Sequence, residues 1–382
     1  MRKCKVVIDT NVLLDYPNVI QEFEEIFLPS AVLEELDKLK KDRNLGYKAR
    51  RASRVIDEAT NISYILEENY EMPDGWDKNK NDNKIIMCAK EKGLLIISND
   101  LLVRAKAAAL KLNYEGYTKN YDVITSYVEK TLTDEEINQF YAKELTFEEK
   151  YVIIKDSMGN IIDTNVKSPT FKSAMLGTVR PLDQYQAIAM DSLINDTFTT
   201  LTGKAGTAKT LLSLAYAFQE IEKGRKRKII IIHNPTCVQG ATELGFYKGD
   251  AIEKLMQSSI GNILKTKLGG EMMVNQLIKQ EVIEAVPMSD CRGMEIPEGS
   301  ILYVTEAQNL TSEMAKLIIQ RAAEDVKVIF DGDYDAQVDS YLYEHNNGLK
   351  RVIEVFSKYD LFSHVRLVNI YRSEIANIAE EL

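Results

Sequence analysis

Gly203-Lys204-Ala205-Gly206-Thr207-Ala208-Lys209-Thr210 lies between the strand-like run Thr199-Thr200-Leu201-Thr202 and a helix opening Leu211-Leu212-Ser213. A glycine-bearing loop leading from a strand into a helix gathers backbone N–H groups around an anion and adds the helix dipole to them. Lys209 is then placed for the β and γ phosphates of ATP and Thr210 for Mg²⁺, with Gly203, Gly206, Thr207 and Ala208 completing the cradle. Ala208 is the one departure from GxxxxGK[ST]. Its methyl crowds the backbone, and a negative φ accommodates it.

Outward from the loop, Ile229 to Ile232, Ile301 to Val304 and Val326 to Phe330 are apolar runs separated by helix-like stretches, the signature of a parallel sheet buried on both faces. Ile301-Leu302-Tyr303-Val304 would be the second nucleotide strand, where four apolar residues normally lead to an Asp-Glu pair. Thr305 stands in place of the first acid and brings no charge to offset Mg²⁺, while Glu306 remains to orient or deprotonate the attacking water. Asp331-Gly332-Asp333 follows the next strand, and Gln337 beyond it is a candidate sensor of the γ phosphate.

The first half also alternates strands and helices, and four acids mark their ends. Asp9 closes Lys5-Val6-Val7-Ile8 and Asp100 follows Leu94 to Asn99, both at the carboxyl ends of buried strands, where α/β sheets place ligands. With Glu35 and Asp82 they are expected to converge on one divalent cation, Mg²⁺ or Mn²⁺, which takes oxygen ligands. Ser98 and Asn11 would orient the acids. Structural roles compete: Asp82 as a helix N-cap, Glu35 as a solvated helix residue. Ser30 reads as an N-cap, Leu101 to Leu112 as a helix, and Thr133 as the cap of another. Tyr151 to Asp156 should pair with Ile161 to Val166 across Ser157-Met158-Gly159-Asn160.

Composition bounds the rest. The chain has 382 residues, enough for two major domains, and a net charge of −10 that leaves nucleic-acid binding to local basic patches. The strongest patch is Lys38, Lys40, Lys41, Arg43, Lys48, Arg50, Arg51 and Arg54, a path for an RNA backbone or simply a solvated helix face. Cys4, Cys88, Cys237 and Cys291 are too scattered for a zinc site or a disulfide framework, and a cytoplasmic, non-membrane protein is expected. His233, His345 and His364 lie away from the acids in sequence, so histidine-based acid and base chemistry is not expected there.

The phosphate loop, Glu306-Ala307-Gln308-Asn309, Gly332-Asp333 with Gln337 and Asp339, and Tyr371-Arg372-Ser373-Glu374 resemble the PhoH-like ATPases, relatives of superfamily 1 helicases. Asp9 to Asp15, Pro29 to Asp37, Asp82-Asn83 and Ser98-Asn99-Asp100 resemble a PIN nuclease domain. The resemblance covers nearly the whole chain and implies an α/β architecture: a PIN-like domain over 1–128, a connector with a β-hairpin over 129–175, and a RecA-like P-loop ATPase domain over 176–382. It further implies that Gln184 reads adenine, that Arg372 stabilises the transferring phosphate, and that the chain assembles as a homo-oligomeric, hexameric ring. Asn234 before Pro235, Met294 after Arg292-Gly293, Ala208 and Thr305 depart from the family pattern and count against efficient ATP hydrolysis. The expected function is a metal-dependent ribonuclease coupled to an ATP-binding domain that unwinds or feeds single-stranded RNA, with an antitoxin-like partner open. The alternatives are a nucleotide-gated RNA-binding protein with weak or no hydrolysis and, less favoured, a DNA helicase with an inert PIN domain.

Overall fold

Val6, Val7 and Ile8 are all fully buried, as a central parallel strand covered on both faces requires. The computed structural model of the protein describes residues 2–42, 45–66, 69–117, 123–233, 259–334 and 346–371. Its contacts divide the chain into Met1–Asn120 and Tyr121–Leu382.

In the first unit, β1 (Arg2–Ile8), β2 (Phe23–Pro29), β3 (Ile62–Ile65), β4 (Leu95–Ile97) and β5 (Tyr114–Glu115) form a parallel sheet of order β3-β2-β1-β4-β5. Helices α1 (Thr10–Asp15), α2 (Ser30–Leu39), α3 (Gly46–Glu58), α4 (Asn81–Lys92) and α5 (Leu101–Ala109) connect them. Strand order reverses at β1, which pairs with β2 on one side and β4 on the other. The crevice at such a switch point is where open α/β sheets receive ligands, and both Asp9 and Asp100 lie at its carboxyl edge. Two helix ends differ from the sequence expectation. Pro29, not Ser30, is the N-cap of α2, because proline's fixed φ and absent N–H suit a helix entrance. Helix α5 stops at Ala109 with Leu110 as C-cap.

The second unit opens with β6 (Tyr127–Thr131), α6 (Asp134–Tyr141), β7 (Tyr151–Lys155) and β8 (Ile161–Thr164), and continues with β9 (Phe171–Ser173) and β10 (Gly177–Val179). Thr133 caps α6 in a full capping box with Glu136. Strands β7 and β8 form the expected antiparallel pair, and β6 lies parallel to β7 on its other side. Tyr127, Tyr151 and Ile153 of this small sheet share one apolar cluster with Ile188 and Leu212 from the helices of the large sheet.

Then follow α7 (Gln184–Asn195), β11 (Phe198–Thr202), α8 (Lys209–Glu222), β12 (Lys228–His233), β13 (Ile283–Pro287), β14 (Ser300–Thr305), β15 (Lys327–Gly332) and β16 (Phe362–Arg366). The strands pair in parallel in the order β13-β12-β14-β15-β11-β16. Alternation within each strand supplies both layers. Ile229, Ile231, Tyr303 and Ile329 pack with α7 and α8 residues, while Ile230, Leu302, Val304 and Phe330 pack with Ile318, Leu349 and Ile353 of the helices over 312–319 and 348–356. Among the described residues no helix is long and apolar enough to cross a membrane.

Candidate functional site

Asp9 is the N-cap residue of α1, only 3% exposed, and its carboxylate accepts hydrogen bonds from Ser98 Oγ at 2.5 Å and Asn11 Nδ2 at 2.8 Å. Ser98 is fully buried and also accepts the Asp100 N–H at 3.1 Å, so one hydroxyl ties the ends of β1 and β4 together. Burial pushes the Asp9 carboxyl up to about 6; Ser98 opposes this, and the charges of Asp82 and Glu35 push it further up. Both Asp82 and Glu35 therefore lie within electrostatic reach of Asp9. Glu35 accepts from Thr10 Oγ1 at 2.8 Å, whereas its neighbour Glu34 is exposed, which selects Glu35 as the inward-facing acid.

The competing capping role falls to Asp100 rather than to Asp82. Lys80 is the N-cap of α4 and Asp82 lies in its first turn without capping it, whereas Asp100 caps α5 by accepting from the N–H groups of Leu102 and Val103. Both of those bonds end on Oδ1 at 2.6 and 3.4 Å. Asp82 and Glu35 thus lie within electrostatic reach of Asp9, while one oxygen of Asp100 is taken by the amides of α5. Among the described residues no three Asp, Glu, His or Cys side chains are gathered closely enough to hold a metal. Three of these acids have a local donor, Thr10 for Glu35, Ser98 and Asn11 for Asp9, and the helix amides for Asp100.

The basic segment is also sorted by the fold. Lys48 is buried and paired with Asp15 at 2.6 Å, and Arg50 donates to Lys40 O at 2.9 Å. Arg50, Arg51 and Arg54 line a groove of about 380 Å³ along α3. Arg43 lies outside the described residues.

In the second unit, Ala208 precedes α8 with φ 74° and ψ 16°, the left-handed region, so the negative φ expected for a methyl-bearing residue is not adopted. The loop keeps the backbone that glycine favours and carries a Cβ on it. Gly203 has φ 138°, and a Cβ there would collide with the Leu367 carbonyl. Gly206 has φ 90° and its carbonyl accepts the Tyr371 N–H at 3.0 Å. Lys209 donates to the carbonyls of Gly203 and Lys204, and Thr207 Oγ1 donates to Lys204 O at 2.9 Å. Thr210 Oγ1 donates to Asp331 Oδ2 at 3.2 Å. Thr305 ends β14 and is buried, and Glu306 follows it with φ 53°.

Gln184 begins α7 and donates to Ile162 O at 3.4 Å, so it faces the β8 side. Gln186, two residues on, is buried and reaches the loop, donating to Thr207 O at 3.4 Å while accepting from the Leu182 N–H at 2.9 Å. A cleft of about 570 Å³ beside the start of α8 is lined by Thr178, Arg180, Leu182, Gln186, Ala208 and Leu211. Gln337, Arg372, Asn234 and Cys237 lie outside the described residues.

The family profile described as PhoH-like protein matches residues 178–381. The chain belongs to the PhoH-like family. A PIN domain profile matches residues 6–118, so the protein is a PIN domain joined to a PhoH-like domain. Protein PhoH2 of Bacillus subtilis is 29% identical over 439 aligned positions, covering 98% of this chain and 99% of that one. Protein PhoH2 of Thermobispora bispora is 24% identical, covering 98% and 95%. Among solved structures, a PilT N-terminus domain protein from Sulfolobus solfataricus aligns with 29% of this chain and 86% of its own at 16% identity and a TM-score of 0.22.

Within the PhoH-like domain, sequence reasoning missed Gln186 and Asp331. Gln186 lies two positions after Gln184, and Asp183, the N-cap of α7, accepts the Gln186 N–H. Asp331 was visible as an acid ending a strand, but nothing local in the sequence places it beside Thr210.

Proposed function

We propose that this protein is a metal-dependent ribonuclease whose PIN domain cuts single-stranded RNA and whose PhoH-like domain binds ATP and unwinds or feeds that RNA. The observation that carries the reading is Asp9: a buried carboxyl raised to about 6, with Asp82 and Glu35 adding negative charge, at the switch point of a parallel sheet. Such a site favours a hard cation, and the donors present are all oxygen. Asp9, Glu35, Asp82 and the second oxygen of Asp100 would hold Mg²⁺ or Mn²⁺, which when bound lowers the pKa of a coordinated water and offsets charge as a phosphodiester breaks. Ser98 and Asn11 fix the Asp9 carboxylate, and Thr10 fixes Glu35. Arg50, Arg51 and Arg54 present charge to an RNA backbone. His364, fully buried in the other unit, has no part in this chemistry.

In the PhoH-like domain the same reading gives Gly203, Gly206, Thr207, Ala208, Lys209 and Thr210 to the phosphates, Glu306 to the attacking water, and, following the resemblance, Gln184, Gln337 and Arg372 to adenine, the γ phosphate and the transferring phosphate. Cytoplasmic residence, a hexameric ring and an antitoxin-like partner belong to this proposal. The left-handed Ala208 and the uncharged Thr305 favour a second reading in which nucleotide gates RNA binding with little turnover. Labelled single-stranded RNA incubated with Mn²⁺, with and without ATP, separates them. Asp9→Asn and Asp100→Asn should each abolish cleavage with the fold intact, and unchanged cleavage in both would refute the nuclease. Brisk ATP turnover that disappears in Lys209→Ala would eliminate the gated reading.

A further inference from the structure

Asp331 ends β15 with 2% of its surface exposed and faces three polar groups from other strands and the loop. Its Oδ2 accepts from Thr210 Oγ1 at 3.2 Å and from the Tyr303 hydroxyl, and its Oδ1 accepts the Glu306 N–H at 3.3 Å. The Tyr303 hydroxyl is fully buried, and the same cluster reaches Thr210 and Thr305. Strands β14 and β15 run in parallel register from Ile301 opposite Lys327 to Val304 opposite Phe330, so Thr305 and Asp331 are the next rung. Residues on one rung of a sheet project to the same face.

The carboxylate missing from the end of β14 is thus present one strand over, at the same height, hydrogen-bonded to the phosphate-loop threonine. We infer that Asp331 takes over the role that Thr305 cannot fill: it is the acid that positions the nucleotide's Mg²⁺ against Thr210, and Thr305 with Tyr303 holds that acid in place. The inference rests on the ATP reading of the PhoH-like domain. The strand swap also explains why an acid at the end of β14 is dispensable, since a second carboxylate beside Asp331 would place two like charges on one buried rung.

The test is the affinity of the full-length protein for a fluorescent ADP, measured in Mg²⁺ and in EDTA, with circular dichroism as the check on folding. Wild type should bind more tightly in Mg²⁺ by roughly tenfold or more, the weight of one charge-assisted contact. Asp331→Asn should bind equally in both conditions. Thr305→Asp alone should gain nothing, and Thr305→Asp with Asp331→Thr should regain the Mg²⁺ dependence. If Asp331→Asn keeps the wild-type gain, the inference is overturned while the ATP reading stands. If folded wild type binds no nucleotide in either condition, both fall.

Discussion

Ala208→Gly is the substitution whose sign can be worked from the backbone. At φ 74° and ψ 16° the alanine Cβ crowds the neighbouring carbonyl, and an L-residue in this region costs about 1–2 kcal/mol. Glycine removes that cost but frees the unfolded chain, which takes back about 0.4–1 kcal/mol. Ala205 of the same loop does not have positive φ, so Ala205→Gly meets only the entropic loss. The difference between the two variants isolates the steric contribution, about 1–2 kcal/mol in favour of Ala208→Gly. The chain's single tryptophan, Trp76, reports on the other unit, so amide hydrogen exchange across α8 is the suitable assay. Protection should rise or hold in Ala208→Gly and fall in Ala205→Gly. Equal losses in both would show that residue 208 sits at negative φ in solution and would refute the reasoning.

Two further outcomes follow from buried titrating groups. The Asp9 carboxyl is raised to about 6 from 3.8, so the stability it contributes below pH 3.8 is lost as pH rises through 6. Asp9→Asn should therefore stabilise the first unit at pH 7.5 in EDTA by about 1–3 kcal/mol, read by Trp76 fluorescence in urea, and a variant less stable than wild type would contradict the strained-charge account. His364 has the opposite sign: burial lowers it to about 4 from 6.5. Its Nδ1 must donate to Ile124 O at 2.9 Å, which leaves Nε2 to accept from Thr202 Oγ1 at 2.8 Å, a neutral ring held at both ends. The stability present above pH 6.5 should be lost as pH falls toward 4, by as much as about 3 kcal/mol, and the loss should shrink in His364→Gln. An identical acid profile in that variant would assign the effect to other groups.

Much of this architecture was legible because it is local. Apolar runs ending in Asp9 and Asn99 become β1 and β4, and the strand, loop and helix around Lys209 form where the pattern places them. Thr133 with Glu136 reads directly as a capping box, and the β7 and β8 pair follows from its turn. What stayed hidden is set at long range. The register that brings Asp331 to Thr210 spans 121 positions of chain, and no window of sequence contains both partners. Asp82, for which a helix N-cap was the competing reading, falls inside the first turn because residue 80 enters α4 in extended backbone, and Asp100, read only as a metal ligand, caps α5. The left-handed Ala208 was illegible for another reason: residue type argued for negative φ, and the geometry of the loop as a whole outweighed one methyl.

Mn²⁺ binding to the full-length protein without nucleotide tests most directly whether Asp9, Glu35, Asp82 and Asp100 share a divalent cation. Calorimetry should show uptake by wild type that is lost in Asp9→Asn and in Asp82→Asn and retained in Lys209→Ala. Undiminished Mn²⁺ binding by the folded Asp9→Asn and Asp82→Asn proteins would contradict the account.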